Sequence, residues 1–586
     1  MNLLLASALL GAMMTTFGEK VTPENAWREY PRPQMVRANW ANLNGQWDYA
    51  ITSVTNTPGR PVKWDGKILV PFALESALSG VGRLLEPNEF LWYTRKIVCT
   101  KRPGERILLN FDGVDFRAMV FIGHREVDLP HSGAHEPFTL DITDYVRDGE
   151  NELTLCVWDP TQDFVNSRGK QSLRPSGCHY TRMSGIWQTV WMETVPERYI
   201  KDYRVFTDID KGTVRFEFDK VGEGEVEVMH DMPKDFECWS PENPKLYRFT
   251  ARYGKDEIKG YFGMRKIEKR KDANGYLRFF LNNKPYFILG TLDQGWWPDG
   301  LLTPPSEEAM RFDIQTLKDF GFNMMRKHIK VEPRRYYYLC DTMGILLLQD
   351  LPCNGPDPQG FMKASHVRDY GFQRLELKRM VDELQKVPSI VMWVPYNEGW
   401  SQPGEFLTHT TLDWVKNYDP TRLVNGPSGC NDWEGGHVLP RGWDWDKRVL
   451  TQHKPADECE ASDTVDMHLY RGPEMFAAND RRISFLGEFG GLGHPVAGHL
   501  WKEQKGNWGY GGIEDTKTRE GLEKTYLALM DKLGSLAEKG LGGSVYTQTT
   551  DVEIEINGLM TYDRKVIKFD PAVLKAAHEK IVNSVK

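Results

Sequence analysis

The chain has no excess of charge of either sign: 74 Lys and Arg stand against 82 Asp and Glu, a net of −8 over 586 residues. With the two signs interspersed no basic face forms, which excludes nucleic acid as the expected partner. Cysteine is scarce, with eight in the whole length and no Cys-x-x-Cys spacing. That excludes a zinc knuckle or a disulfide scaffold and leaves Cys99, Cys156, Cys178, Cys238, Cys340, Cys353, Cys430 and Cys459 to be read as mostly buried thiols. No Walker-type glycine loop occurs, and Ser544 stands without a nucleophile-elbow context. Neither a cofactor nor a metal ion is expected. Long apolar runs are missing too, apart from Leu3 to Met14. That run is short of the roughly 20 residues that span a bilayer but of the length of a signal-peptide core. Residues 1–18 are therefore expected to be an export signal, although no Lys or Arg precedes the run and no clear Ala-x-Ala site follows it. The protein is expected in the periplasm or outside the cell, or in the cytoplasm if that segment is no signal, and without an integral membrane segment.

What the chain does have is rings and alternation. Aromatic residues make up 12%, with 19 Trp, 23 Tyr and 27 Phe, enough to fill several cores and to line a cleft. Over 22–198, short runs rich in Val, Ile, Trp and Tyr (GQWDYAI, KILVPF, WYTRKIVC, RILLNF, ELTLCVW) are separated by Gly, Pro, Asn and Asp, the pattern of an antiparallel sandwich. A second, shorter set over 199–269 (TVRFEFD, EVEVMH, LYRFTARY) predicts a small immunoglobulin-like sandwich. From 272 to 586 apolar runs alternate with helical periodicity, the signature of βα units. Eight strand candidates begin at Pro285, Phe322, Ile345, Ser389, Arg422, Thr464, Ile483 and Ser544, which predicts a (β/α)8 barrel. Between the first two, Ser306 with Glu307 and Glu308 marks a helix start and Gly321 its stop.

Chemistry in such a barrel gathers where the strands end. The first candidate ends at Asp293 with Trp296 and Trp297 beyond; the second at Arg326 and His328; the third at Gln349 and Asp350; the fourth at Asn397, Glu398 and Trp400. The sixth ends at His468 and Tyr470, the seventh at Glu488 and the eighth at Tyr546, Gln548 and Asp551. So many polar groups on apolar runs would be costly to bury without a use. Glu398 and Glu488 stand out, because the fourth and seventh strand ends face each other across a barrel mouth. A glycosidase needs that pair: one carboxyl protonated to donate to the leaving oxygen, the other ionised to attack the anomeric carbon. His328 and His468 read as hydrogen-bonding groups for sugar hydroxyls rather than as metal ligands. Trp443 and Trp445 read equally as stacking platforms or as loop packing.

The chain resembles glycoside hydrolase family 2 nearly from end to end. The resemblance rests on YPRPQMVRANWANLNGQWDYAI, LVPFALESALSGVGR, GKQ at 169–171, SGIWQTVWME, LGTLDQGWWPDG, MRKHIKVEP, PSIVMWVPYNEGW, VDMHLY, FLGEFGG and VYTQTTDVEIEINGLMTYDR. It implies a jelly-roll sugar-binding domain, an immunoglobulin-like sandwich and a catalytic barrel. It also implies a retaining reaction with Glu398 as acid/base, Glu488 as nucleophile and Asn397 on the sugar 2-hydroxyl. Further contacts to the sugar are expected from Asp293, Arg326, His328, Trp400, His468, Tyr470, Tyr546 and Gln548. A retaining pair should stand roughly 5 to 5.5 Å apart. Val387 departs from the family's usual His, at the far end of its strand. Family glucuronidases carry an Asn and a Lys after the last strand to grip the sugar carboxylate, and here Asn557 is followed by Gly558 and Leu559. A neutral β-hexoside, galactoside first, is therefore expected, with Lys330 or Arg326 as possible substitutes for the missing charge. The alternatives are a β-glucuronidase and a carbohydrate-binding protein without activity on the same scaffold. The sequence carries no reading of oligomeric state.

Overall fold

The structure, a computed structural model, describes residues 13–53, 59–162, 166–354, 370–430, 443–444, 449–450, 461–502 and 506–585. The N-terminal sandwich follows from period-two alternation. Leu91, Tyr93, Ile97 and Cys99 on the strand Glu89–Cys99, Leu153, Leu155 and Val157 on Gly149–Trp158, and Ala118, Val120 and Ile122 on Arg117–Ile122 all enter one core. These strands, with Gly45–Ser53 and Gly66–Val70, form an antiparallel sheet that packs on a second one. That second sheet holds Trp40–Asn42, Val190–Pro196, Glu105–Phe111 and Phe138–Asp141. Cys99, Cys156, Cys340 and Cys353 are buried free thiols, and Cys178 and Cys238 are half-buried.

A smaller sandwich follows. The hairpin Tyr199–Asp208 with Thr213–Val221 lies over the three-stranded sheet Glu227–His230, Tyr247–Tyr253 and Asp256–Phe262. Tyr247, Phe249, Ala251 and Tyr253 alternate into its core against Tyr203 and Val205. Arg37, on the approach to the first sandwich, ties the two together by donating to Asp256 Oδ2 at 2.8 Å and pairing with Glu193 Oε2 at 3.1 Å.

The barrel strands are β1 (Ile288–Asp293), β2 (Met324–Lys327), β3 (Leu346–Asp350), β4 (Ile390–Val394), β5 (Leu423–Val424), β6 (Thr464–Leu469), β7 (Ile483–Gly490) and β8 (Leu541–Thr547). All neighbours are parallel, in the order β5-β4-β3-β2-β1-β8-β7-β6. Asp463 closes the remaining seam: its N–H donates to the Val424 carbonyl at 2.8 Å, and its carboxylate accepts from Val424 N at 3.0 Å. Both faces of each strand are covered, which is why the runs are almost wholly apolar. Parity sorts them: Ile288, Leu292, Met324, Leu346, Leu348, Met392 and Val545 fill the interior. Leu289, Met325, Leu347, Trp393, Val465, Met467 and Tyr546 face the helices.

The helices are α1 (Glu307–Asp319), α2 (Arg334–Met343), α3 (Tyr370–Leu384), α4 (Glu405–Tyr418), α5 (Arg519–Glu538) and α6 (Pro571–Asn583). Ser306 caps α1 by accepting from Ala309 N at 3.2 Å, and Gly321 beyond its end takes φ +85°, as the sequence predicts. The repeat is less regular than eight complete βα units. Between β6 and β7 no helix forms; the chain instead turns Met475 and Phe476 into the outer core. The hairpin Ile267–Lys271 with Leu277–Leu281 crosses the expected join at 269–272, and its Ile267, Leu277, Phe279 and Leu281 plug the floor of the barrel interior. Val387 is buried at the base of β4, far from the strand ends.

Of the expected export signal, residues 1–12 lie outside the described residues. The remainder is packed: Thr15 donates to Asp299 from its N–H (2.7 Å) and its hydroxyl (2.6 Å). Among the described residues no helix is long and apolar enough to cross a membrane.

Candidate active site

Strand parity delivers the polar groups to the mouth. Two residues beyond interior Met324 stands Arg326, and two beyond Leu348 stands Asp350. On β6 the outward Val465, Met467 and Leu469 leave Asp466 and His468 pointing inward. On β7 register shifts on both neighbours bring Glu488 to the same side. Glu398 sits just past β4 at φ +49°, a left-handed position uncommon for a side-chain-bearing residue.

Arg326 organises the site. It is fully buried and donates from Nε and Nη2 to the two oxygens of Asp350 (3.0 and 2.9 Å), from Nη2 also to Asn397 Oδ1 (2.8 Å), and from Nη1 to Gly487 O and Glu488 Oε1 (both 3.2 Å). Burial works against its cation, but Asp350 and Glu488 raise its pKa further above the ordinary value. The Tyr470 hydroxyl donates to the other oxygen of Glu488 at 2.6 Å, and its ring stacks on Tyr510 at 3.5 Å. His468 Nδ1 lies 2.7 Å from Glu398 Oε1 and 3.4 Å from Glu488 Oε1. Burial opposes charge on His468 too, yet Glu488, Asp466 and Glu398 push its pKa up to about 10. A cation thus stands between the two glutamates. One oxygen of Glu398, one of Glu488 and a ring nitrogen of His468 all lie within 4.8 Å of one another. Such a trio could hold a metal ion.

Asn397 is fixed by its carbonyl, to Arg326 and to the Ser428 hydroxyl, while its Nδ2 has no partner. Among the described residues His328 has no hydrogen bond at either nitrogen, although its Nδ1 lies 3.3 Å from Asp350 Oδ2, and burial with the nearby Lys170 and Arg326 takes its pKa well below the ordinary value. Trp400, 8% exposed, lies parallel to His179 at 6.4 Å and has His328 on its edge at 6.3 Å.

Three expected sugar contacts do not reach the cleft with atoms to spare. Tyr546 is on the outward parity of β8 and packs against Phe489 and Tyr526 in the layer under the helices. Gln548 is occupied in an amide chain, accepting from Gln294 and donating to Asn557, each at 2.7 Å. Asp293 accepts from Gly295 N, from Lys327 Nζ (2.8 Å) and from the Tyr336 hydroxyl (3.0 Å). Burial disfavours its charge, but Lys327 and Lys330 outweigh that and hold its pKa below the usual carboxylate value. Trp296 stacks on Tyr180 of the sandwich at 3.9 Å, as domain packing. Lys330 has all three ammonium protons engaged, on Gly295 O (2.6 Å), Leu302 O (2.8 Å) and Glu332 (2.9 Å). Trp443 lies where only the backbone is described, and Trp445 lies outside the described residues. Sequence reading passed over Asp466, Ser428 and Lys170. Parity would have found Asp466, which shares a face with His468.

Two sandwiches ahead of a parallel barrel, with paired carboxylates at the strand ends, place the protein among the multidomain barrel proteins of carbohydrate chemistry. Two family models match: "Glycosyl hydrolases family 2, sugar binding domain" over residues 81–196 and "Glycosyl hydrolases family 2, TIM barrel domain" over residues 278–440. The chain belongs to glycoside hydrolase family 2. It is similar to the beta-galactosidase of Lactococcus lactis, 26% identical over 398 residues, which cover 61% of this chain and 36% of that protein. It also matches the beta-galactosidase of Thermoanaerobacter pseudethanolicus, 24% identical over 52% of this chain and 44% of the relative. The chain spans about half the length, or less, of the curated relatives it matches. Among solved structures, the Ruminococcus gnavus beta-glucuronidase in complex with D-glucuronic acid superposes with a TM-score of 0.70 at 16% identity, covering 94% of this chain and 99% of that one. The Eisenbergiella tayi beta-galacturonidase bound to galacturonate gives 0.69 at 18% identity over the same shares. At these identities the superpositions speak for the fold.

Proposed function

We propose that the protein hydrolyses terminal β-linked hexosides with retention of configuration. The observation that carries this reading is the approach of Glu398 and Glu488 to within 4.8 Å, oxygen to oxygen, across the mouth. That is close to the roughly 5 to 5.5 Å of retaining enzymes and short of the roughly 6.5 to 9.5 Å that admits a water between the carboxyls. Glu488, held by Arg326 and Tyr470, attacks the anomeric carbon. Glu398 gives a proton to the departing oxygen, then takes one from the water that releases the sugar. His468 places the Glu398 carboxyl and supplies positive charge between the two acids. The unpartnered amide of Asn397 is available to the 2-hydroxyl. The names of the relatives, beta-galactosidases and beta-glucuronidases, support the reaction class.

For the sugar, a galactoside-like glycon remains first, since the loop after β8 has no Lys at the expected place. The fallback of a carboxylate grip by Lys330 or Arg326 loses support from their engaged donors. Release of nitrophenol from a panel of nitrophenyl β-glycosides tests the reaction. Binding on a glycan array with no release from any member would favour the inactive binding protein instead. Export remains part of the proposal. N-terminal sequencing of secreted protein should find a start no later than Thr15, because that residue anchors Asp299.

A further inference from the structure

The cations of the cleft divide sharply by what their protons already do. Arg326 has its five N–H groups directed to Asp350, Asn397, Gly487 and Glu488. Lys327 Nζ is paired with Asp293 at 2.8 Å and Glu332 at 2.6 Å. Lys330 has three acceptors. Arg326 and Lys330 have no proton to offer a substrate without breaking a buried bond, and Lys327, balanced by two carboxylates, lies 4.8 Å from the centre of the Tyr336 ring.

Lys170 is different. It comes from the N-terminal sandwich and is buried, at 6% exposure. Among the described residues no carboxylate and no hydrogen-bond acceptor is paired with its Nζ. The ammonium lies 5.8 Å from the centre of the Trp400 ring, two residues beyond Glu398 in the chain. Its position is built in. Gly169 before it takes φ +62°, and a Cβ there would stand 3.5 Å from the carbonyl of Ile329 in the loop after β2. The Lys170 carbonyl accepts from Tyr180 N, and Gln171 after it is fixed by donating to Asp115 and accepting from Met183 N. The side chain therefore arrives at the mouth on a rigid stem. Among the described residues none of the titratable groups around it forms an ion pair with it: His328 is held neutral, Cys178 is a thiol whose pKa burial raises, and Glu555, whose carboxyl pKa burial raises and the charge of Lys170 lowers, spends an oxygen accepting from Asn557. With no acceptor among the described residues, the ammonium is free to make a charge-assisted hydrogen bond to a ligand's anion.

We infer that Lys170 binds an acidic substituent of the substrate, a carboxylate or a sulfate ester, at the barrel mouth. The inference rests on the glycosidase reading for the reaction and adds the charge of what is bound. It reconciles a galactoside-like glycon with a cation-bearing cleft: a hexuronoside or a sulfated hexoside fits both. The loop after β8 has no Lys at the expected place, whereas Lys170 enters from another domain.

The test compares wild type with K170M and K170R in two arms. The first measures kcat/KM on nitrophenyl β-galacturonide, 6-O-sulfo-β-galactoside and β-galactoside. The ratio of the preferred acidic substrate to the neutral one should fall about 10- to 100-fold in K170M, the size of a charge-assisted hydrogen bond, and recover in part in K170R. Which acid shows the fall identifies the group. The second arm, calorimetry with galacturonate, galactose 6-sulfate and galactose, does not depend on turnover. Wild type should prefer one of the acids, and K170M should lose that preference. An unchanged ratio, an equal fall on all substrates, or a wild type that binds neither acid better than galactose would overturn the inference. Wild type that turns over no substrate yet binds an acid through Lys170 would instead overturn only the glycosidase reading.

Discussion

Carboxyl groups are buried in two regions of this molecule with different supplies of donors. At the mouth each has partners: Asp350 takes two donors from Arg326, Glu488 takes Arg326 and Tyr470, and Glu398 meets His468. At the seam between the sandwich and α3, Asp115 has only Gln171 on one oxygen and Glu376 only the Ser167 hydroxyl. Asp115 Oδ1, Glu136 Oε2 and Glu376 Oε1 have no partner. Burial there raises Asp115 and Glu376 well above the ordinary carboxylate range and brings Glu136 up to about 7. Asp350, even with two donors from Arg326, is raised by burial to about 6, so the supply of donors grades how far burial lifts an acid rather than cancelling it.

The largest effects should come from the mouth. Glu488→Gln should lower kcat by about 10,000-fold or more, because no glycosyl-enzyme can form. Glu398→Ala should lose more on poor leaving groups than on nitrophenol, and azide should restore turnover with a β-glycosyl azide as product. An α-configured azide, or equal losses on both leaving groups, would reverse the assigned roles. Next in size is Arg326→Met, which strands Asp350, Glu488 and the Asn397 carbonyl. It should destabilise the protein by about 3–5 kcal/mol, read as a fall in denaturation midpoint. A midpoint like that of wild type would mean the donors of Arg326 are not what holds the mouth together.

His468→Gln sharpens the comparison from the cation's side. Its folded pKa, about 10, lies above the unfolded value of about 6.5. The stability it contributes is therefore fully present below pH 6.5 and is lost as pH rises towards 10. The stability gap between wild type and His468→Gln should narrow over that window, and kcat/KM at pH 7 should fall about 10- to 100-fold. A gap that is constant across the window would show that His468 is not charged in the folded protein.

Much of this was legible in the sequence because buried parallel strands carry few other residue types. Apolar runs such as Ile390–Val394 and Ile483–Phe489 announced themselves, and polar residues at their ends marked the mouth. What was not legible depends on parity and on distance in space. Tyr546 follows an apolar strand as Glu488 does, yet one turns outward and the other inward, because register shifts around β7 break the alternation that β8 keeps. Asp293 and Gln548 stand at strand ends, but their partners, Lys327 and Asn557, become neighbours only on folding. Lys170 lies more than 200 residues before Glu398 in the chain, and only the docking of the sandwich on the loop after β2 brings it to Trp400.

The smallest expected effect lies at the seam, where the substitution removes a titrating group without removing volume. Glu136 is buried, its Oε2 has no donor, and burial raises its pKa to about 7 despite the attraction of Arg379. In the unfolded chain a Glu ionises near 4.3. Folding thus favours the protonated form, and that contribution is fully present below the unfolded value and lost as pH rises through 7. Wild type should lose stability between pH 5 and pH 8, while Glu136→Gln, which resembles the protonated acid at every pH, should lose about 2–3 kcal/mol less over the same interval. Denaturation midpoints of the two proteins at pH 5 and pH 8 provide the measurement. Parallel curves, or a variant that weakens relative to wild type as pH rises, would mean that Glu136 is ionised in the folded protein and that Arg379 does for the seam what Arg326 does for the mouth.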